Sequence, residues 1–271
     1  MVKNYLEKIV VGLFLTIIFY SSAASQNHKG YSVLQKYRKW GFIVGPVLYN
    51  RAKINPKYGD YTFDNKPIWG FNAGFEYDFF PDKKWSFVTG FIVALEPVFN
   101  GNISFKKEDI YSFYEEEDLQ FSIKEYAITS FSAPLLVRLN LKIRKKIFVN
   151  FLTGFKIMFF PRGTSEIGII FHSEDNTETR EVFGLRVESP DNGIQGSFVV
   201  GAGASLAIKK MLLKANLVYI MNFQNTFEGE YQFDNLLTSP PSRGDYTLSG
   251  NYVGLLFTIN LLKKNIDELE Y

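Results

Sequence analysis

The sequence predicts an all-β protein: an eight-stranded antiparallel transmembrane up-and-down β-barrel with long extracellular loops. Three observations predict it. Eight segments alternate apolar with small or polar residues, they are joined by short and long connections in turn, and they follow a secretory leader. Ring surface is also unusually abundant, since 17% of the 271 residues are Phe, Tyr or Trp, a load that soluble enzymes rarely carry.

The leader comes first. Met1–Lys8 carries Lys3 and Lys8 against Glu7, Ile9–Tyr20 is an uncharged, apolar-rich stretch of twelve residues, and Ser21–Ser25 are small. A basic start, a short apolar middle and a small-residue cleavage site describe a signal peptide. Twelve residues at about 1.5 Å each do not cross a hydrocarbon core of about 30 Å. Residues 1–25 therefore read as a signal peptide, cleaved after Ala24 or Ser25. Residues 26–38 read as a periplasmic N-terminal segment, 39–264 as the barrel and 265–271 as a periplasmic tail.

Past the leader the period is two. Trp40, Phe42, Val44 and Leu48 open the pattern, and Trp69, Phe71, Ala73, Phe75, Tyr77 and Phe79 then oppose Gly70, Asn72, Gly74, Glu76 and Asp78. Phe87, Phe91, Val93 and Leu95 oppose Ser86, Gly90 and Glu96. Phe131–Leu141 sets its odd apolar residues against Ser132, Arg138 and Asn140, and Ile147–Phe159 sets its own against Asn150, Gly154 and Lys156. Three more follow: Phe198–Leu206, with Gly201, Gly203 and Ser205 on the second face; Leu213–Phe223, with Lys214, Asn216 and Asn222; and Val253–Leu261, with Gly254, Thr258 and Asn260. Alternation is strand geometry, because successive side chains leave opposite faces. Most segments exceed the usual 5–6 residues and reach the roughly 9–11 that a tilted strand needs to span a bilayer.

The connections give the sidedness. Pro81–Lys84, Arg144–Lys146 and Lys209-Lys210 are tight, whereas Asn50–Pro67, Asn100–Glu125, Pro161–Gln195 and Thr226–Gly250 are long and polar. Short periplasmic turns and long outer loops are the outer-membrane arrangement. The long stretches hold 11 Lys/Arg against 20 Asp/Glu, while the turns hold seven bases against Asp82 alone. Within the third stretch, Ile167–His172 is too short to span, so it is expected to pair with Arg180–Val187 as a hairpin outside the wall.

Composition removes several chemistries. A net charge of +2 from 30 Lys/Arg and 28 Asp/Glu argues against nucleic-acid binding. Cys is absent, and His28 and His172 are the only histidines, which argues against disulfides, thiolate sites and multi-histidine metal centres. His172-Ser173-Glu174 is contiguous, so its side chains do not converge as a hydrolytic triad on a strand. Glu115–Asp118 could attract calcium, but contiguous carboxylates are usually just solvated. No catalytic residue, cofactor or metal is expected.

Glu76, Asp78, Glu96, Arg138, Lys142, Lys156 and Lys214 all fall on the predicted lumen face. An eight-stranded barrel is only wide enough for side chains to fill, and unpaired buried ions cost several kcal/mol. These seven charges are expected to pair as a structural plug, with a proton or ion path as the alternative.

Tyr126–Leu141, with Pro134-Leu135-Leu136 followed by the basic Arg138, resembles a strand of the porin-family or PorT-like small outer-membrane barrels abundant in the Bacteroidota. Phe71–Tyr77 and Gly201-Ala202-Gly203 resemble that family's glycine-bearing strands. The resemblance covers about Trp40 to Lys264, and residues 265–271 depart from it by continuing past the last strand. The leading expectation is a non-enzymatic barrel of the cell outer membrane that acts through its extracellular loops or in assembly, and the resemblance implies an accessory role in a secretion system. Its expected partners are outer-membrane lipid and other envelope or secretion-system proteins. A small-solute or ion pore is the alternative; a lipid-modifying enzyme and a soluble lipocalin-like barrel rank lower.

Overall fold

The computed structural model describes residues 31–110, 118–161, 163–172, 179–189 and 193–263, with backbone alone at 126–128. Residues 1–30, which include the expected signal peptide, and residues 264–271, with the expected periplasmic tail, lie outside these. A four-residue helix, α1 (Ser32–Gln35), precedes β1 (Trp40–Tyr49), β2 (Lys53–Tyr58), β3 (Asp64–Asn65), β4 (Ile68–Asp78), β5 (Trp85–Phe105), β6 (Leu119–Arg144) and β7 (Ile147–Phe159). There follow β8 (Thr164–His172), β9 (Thr179–Glu188), β10 (Ile194–Ala207), β11 (Met211–Asn222), β12 (Phe227–Phe233), β13 (Ser242–Leu248) and β14 (Tyr252–Leu261).

Eight of these strands close a barrel in the order β5-β4-β1-β14-β11-β10-β7-β6, with β6 pairing back onto β5. Every pairing in the wall is antiparallel. Closure satisfies each strand on both sides and leaves no edge. Two glycines relieve the tight wall: a Cβ at Gly74 would stand 2.0 Å from the Phe91 carbonyl oxygen, and one at Gly90 2.1 Å from that of Phe75.

The apolar face points outward. Trp40, Trp69, Leu135, Leu217 and Phe223 are each 54–60% exposed, while Asn72, Glu76, Arg138, Lys156 and Asn216 on the inner face are 4% or less. That inverts the usual soluble arrangement, in which charges are almost never fully buried and large apolar side chains go inside.

The mouth with short turns is closed by the segment before β1. Leu34 and Tyr37 are buried against Phe148, Ala207 and Leu212. The Tyr37 hydroxyl donates to the Ile208 carbonyl (2.6 Å), and that of Tyr31 to the Asn140 carbonyl (3.1 Å). Leu34→Ala should therefore loosen this stopper at about 2 kcal/mol, the low end for a buried Leu→Ala. Limited proteolysis of the folded protein should show faster cleavage within residues 31–38.

At the opposite mouth the long connections are not the solvated loops that their polarity predicts. β2, β13, β12, β9 and β8 form a second, five-stranded antiparallel sheet in that order. The predicted hairpin is β8–β9, which joins this sheet and not the wall. β5 and β6 run on into the cap past register shifts at Glu96–Phe99, where four consecutive residues of β5 are buried. The cap has an aromatic core: Phe63, Phe99, Phe105, Phe183, Phe227, Tyr231, Phe233 and Tyr246 are all 5% exposed or less. All but Phe99 of these rings lie in the long connections that the sequence marks as polar.

Candidate functional site

The barrel interior holds a layer of charge. Glu76 and Asp78 come from β4, Arg138 from β6 and Lys214 from β11, and strand alternation turns each inward. Arg138 Nη1 donates to Asp78 Oδ2 at 2.8 Å, and Nη2 reaches both Glu76 oxygens at 3.0 and 3.1 Å. Lys214 Nζ donates to Glu76 Oε1 at 2.7 Å and stands 3.6 Å from Asp78 Oδ2. Thr258 Oγ1 lies 3.3 Å from Glu76 Oε2. All four charged side chains are 6% exposed or less.

Two further predicted charges are buried apart from this cluster and form no ion pair among the described residues. Glu96 accepts from Ser130 Oγ at 2.6 Å. Lys156 Nζ sits 5.0 Å from the centre of the Tyr252 ring and 3.4 Å from its hydroxyl, which also accepts from Asn72 Nδ2 at 3.0 Å. Lys142 is a correction: it is exposed. It keeps the inward phase but lies beyond Asn140, where β6 shifts register between Lys142 and Arg144 on its way into the turn. Water reaches its amine there, and it joins no lumen network.

Beside the charges the bore is apolar. Ile43, Val47, Ile92, Val199, Val218 and Leu256 pack into an inner cluster with Tyr49 and Tyr252. A cavity of about 40 Å³ lies between this cluster and Glu76, Arg138, Lys156 and Asn216. At roughly 10–15 Å³ per water, that admits a few waters.

The cap contains a buried carboxylate that its sequence neighbours do not announce. Asp109, 1% exposed, accepts from Tyr61 Oη (2.5 Å), Thr238 N (3.0 Å), Thr238 Oγ1 (2.5 Å), Ser239 N (2.7 Å) and Ser239 Oγ (2.7 Å). Burial alone would raise its pKa, but the bonds from Thr238, Tyr61 and Ser239 outweigh it and hold the carboxyl well below the usual carboxylate range. Every acceptor site of Asp109 is engaged by the chain itself, so this is a clasp between loops.

The remaining candidates are peripheral. His172 ends β8, with Nδ1 3.2 Å from Thr179 Oγ1, and Ser173 and Glu174 lie outside the described residues. Of Glu115–Asp118 only Asp118 is described, and it accepts from Lys107 N at 3.2 Å. Among the described residues no three His, Cys, Asp or Glu side chains converge as metal ligands would.

No family model matches the chain, and no curated protein does. Solved structures similar to it include the outer membrane protein OprG from Pseudomonas aeruginosa (11% identity, TM-score 0.42, covering 85% of this chain and 100% of that one). Ail, the attachment invasion locus protein of Yersinia pestis, is 13% identical with a TM-score of 0.27, covering 81% and 99% of the two chains. The outer membrane protease OmpT from Escherichia coli is 10% identical with a TM-score of 0.30, covering 82% and 97%.

Proposed function

We propose that this chain is a non-enzymatic integral outer-membrane β-barrel whose working surface is its folded cap and whose interior is a structural plug. The observation that carries this reading is the pairing of an apolar outer wall with a filled bore. A belt of exposed Trp, Phe and Leu around a closed antiparallel wall suits lipid and not water. Inside, cross-bore ion pairs and an apolar cluster pack around a cavity of about 40 Å³. A barrel that cannot pass a solute acts through what it displays. The implied accessory role in secretion or assembly is of this kind, and co-purification from native membranes tests it.

Fractionation should recover the mature protein with the outer membrane, resistant to high salt and carbonate. Reconstituted in planar bilayers, it should show little or no steady conductance. Recovery in the soluble periplasm would sink the membrane reading, and stable single-channel openings would replace the plug with a pore.

A further inference from the structure

The two edges of the cap sheet are built differently. β2 is guarded in the ways that edge strands usually are: Pro56 removes a backbone donor, and Lys53 and Lys57 put charge on the strand. Lys57 is further tied across the sheet to Glu230 (2.8 Å) and Asp245 (2.6 Å), and a register shift interrupts the β2–β13 ladder. β8 is guarded less: one register shift, between Ile169 and Ile170, interrupts its ladder with β9, and Glu166 is its one carboxylate. Its sequence from Thr164 to His172 contains no Pro and no Lys, Ile170 is 53% exposed, and among the described residues β8 pairs with β9 alone. A row of backbone donors and acceptors is thus presented on a strand without Pro or Lys, which is the template that an added strand uses.

Beside that edge, the open face of the sheet forms a groove of about 1080 Å³. Gly168 and Gly184 leave its floor low, and the Glu181 carboxylate lies across them: a Cβ at either glycine would stand 3.0 or 3.1 Å from Glu181 Oε1. Glu166, Glu188, Glu228 and Glu230 also line the groove, and Arg186 is its one Lys or Arg. Arg186 is already engaged, 3.1 Å from Glu188 and 3.8 Å from Glu166. The face is left strongly negative.

We propose that β8 is a docking edge for an extended cationic peptide segment of a partner protein, added to the cap sheet as a sixth strand. Backbone hydrogen bonds to β8 hold the segment. Its side chains alternate in direction, so basic residues at every second position lie toward the acidic groove. The proposal rests on the cap being the working surface and names the class of partner that the surface takes.

The test uses the full chain in detergent micelles and a fluorescent peptide of alternating Lys and Thr at low salt. Two isomers of the peptide carry N-methyl groups on alternate residues, one isomer for each edge, which deletes strand donors without changing charge. Saturable binding of the parent peptide is expected. It should weaken about tenfold or more in the triple variant Glu166→Lys, Glu181→Lys, Glu188→Lys, since rim charges set attraction and salt dependence. One methylated isomer should bind like the parent and the other should lose about tenfold. Unchanged heat-modifiable gel mobility shows that the variant barrel is folded. The proposal is overturned by absent binding, by equal binding of both isomers, or by equal binding of a Glu/Thr peptide. Concentration-dependent dimerisation that Ile170→Lys abolishes would overturn it in favour of a second copy of this chain. Failure of peptide binding in a protein that fractionates with the outer membrane and does not conduct removes the docking edge alone. Conductance removes the underlying reading.

Discussion

Arg138→Ala should lower the stability of the refolded barrel by about 3–5 kcal/mol, the usual effect of removing one partner from a buried ion pair. Arg138 is 1% exposed and makes three of the hydrogen bonds that neutralise Glu76 and Asp78. Without it Lys214 is left to serve two carboxylates, one of them at 3.6 Å. Reversible urea unfolding in lipid vesicles measures the loss. A water-filled bore would screen the same contacts to about 0–1 kcal/mol, so an indifferent Arg138→Ala variant would show that the interior is wet. A cycle with Asp78→Leu separates the cost of stranding an acid from the worth of the pair. In neighbours that share a network, the double variant should cost less than the two singles added together.

The same residues show how far the chain could be read unaided. Alternation places Glu76, Asp78, Arg138 and Lys214 on one face, and the close packing expected of an eight-stranded bore brings together groups that lie on non-adjacent strands. What alternation does not encode is depth. Lys142 shares the phase of Arg138 yet lies at the rim, two residues before the Arg144–Lys146 turn, and phase alone carries no measure of that distance. Nor does alternation say that a buried charge finds an opposite charge. Lys156 meets the ring of Tyr252 and Glu96 meets Ser130, contacts that need the three-dimensional register.

The cap was hidden for a different reason. Its strands come from three of the long connections, and apart from the β8–β9 hairpin each is too short or too polar to stand out. Phe227, Tyr231 and Phe233 do alternate with Glu228, Glu230 and Gln232, and Phe183, Leu185 and Val187 share the pattern. The second run belongs to the expected hairpin; the first is the signal a closer reading would have used. Their pairings are non-local, however: Tyr58 stands opposite Arg243, and Phe183 opposite Phe233. Short strands gain identity only from such neighbours, as β-propensity reflects packing on a half-buried surface more than any backbone preference. The Asp109 clasp is less legible still, because its partners Thr238 and Ser239 follow it by 129 and 130 positions.

That clasp should fasten the loops over the cap's aromatic core. Asp109→Ala removes the common acceptor of two backbone amides and three hydroxyls. The hydroxyls can turn elsewhere, but the part-buried Thr238 and Ser239 amides are fixed, and hydrogen bonds to a charged group contribute about 1.5–3 kcal/mol each. A loss on the order of 3 kcal/mol is therefore expected, read as faster hydrogen exchange in β12 and β13 while the wall strands keep their protection. The sign of the pH dependence follows from the lowered carboxyl. Its folded value lies below the unfolded reference of about 3.9, so the stabilisation is complete above that reference and fades as pH falls through the folded value. The gap between wild type and Asp109→Ala should accordingly narrow as the medium is made more acid. Tyr61 bounds the alkaline side. Burial, then its bond to Asp109, pushes the phenol up to about 12, above an unfolded value near 10. Its contribution is complete below about pH 10 and is lost as pH rises toward 12. Tyr61→Phe should remove that alkaline decline and leave the acid one in place, since Thr238 and Ser239 still hold the carboxylate. An Asp109→Ala gap that stays constant from neutral to acid pH would show that the carboxylate is not what fastens the loops.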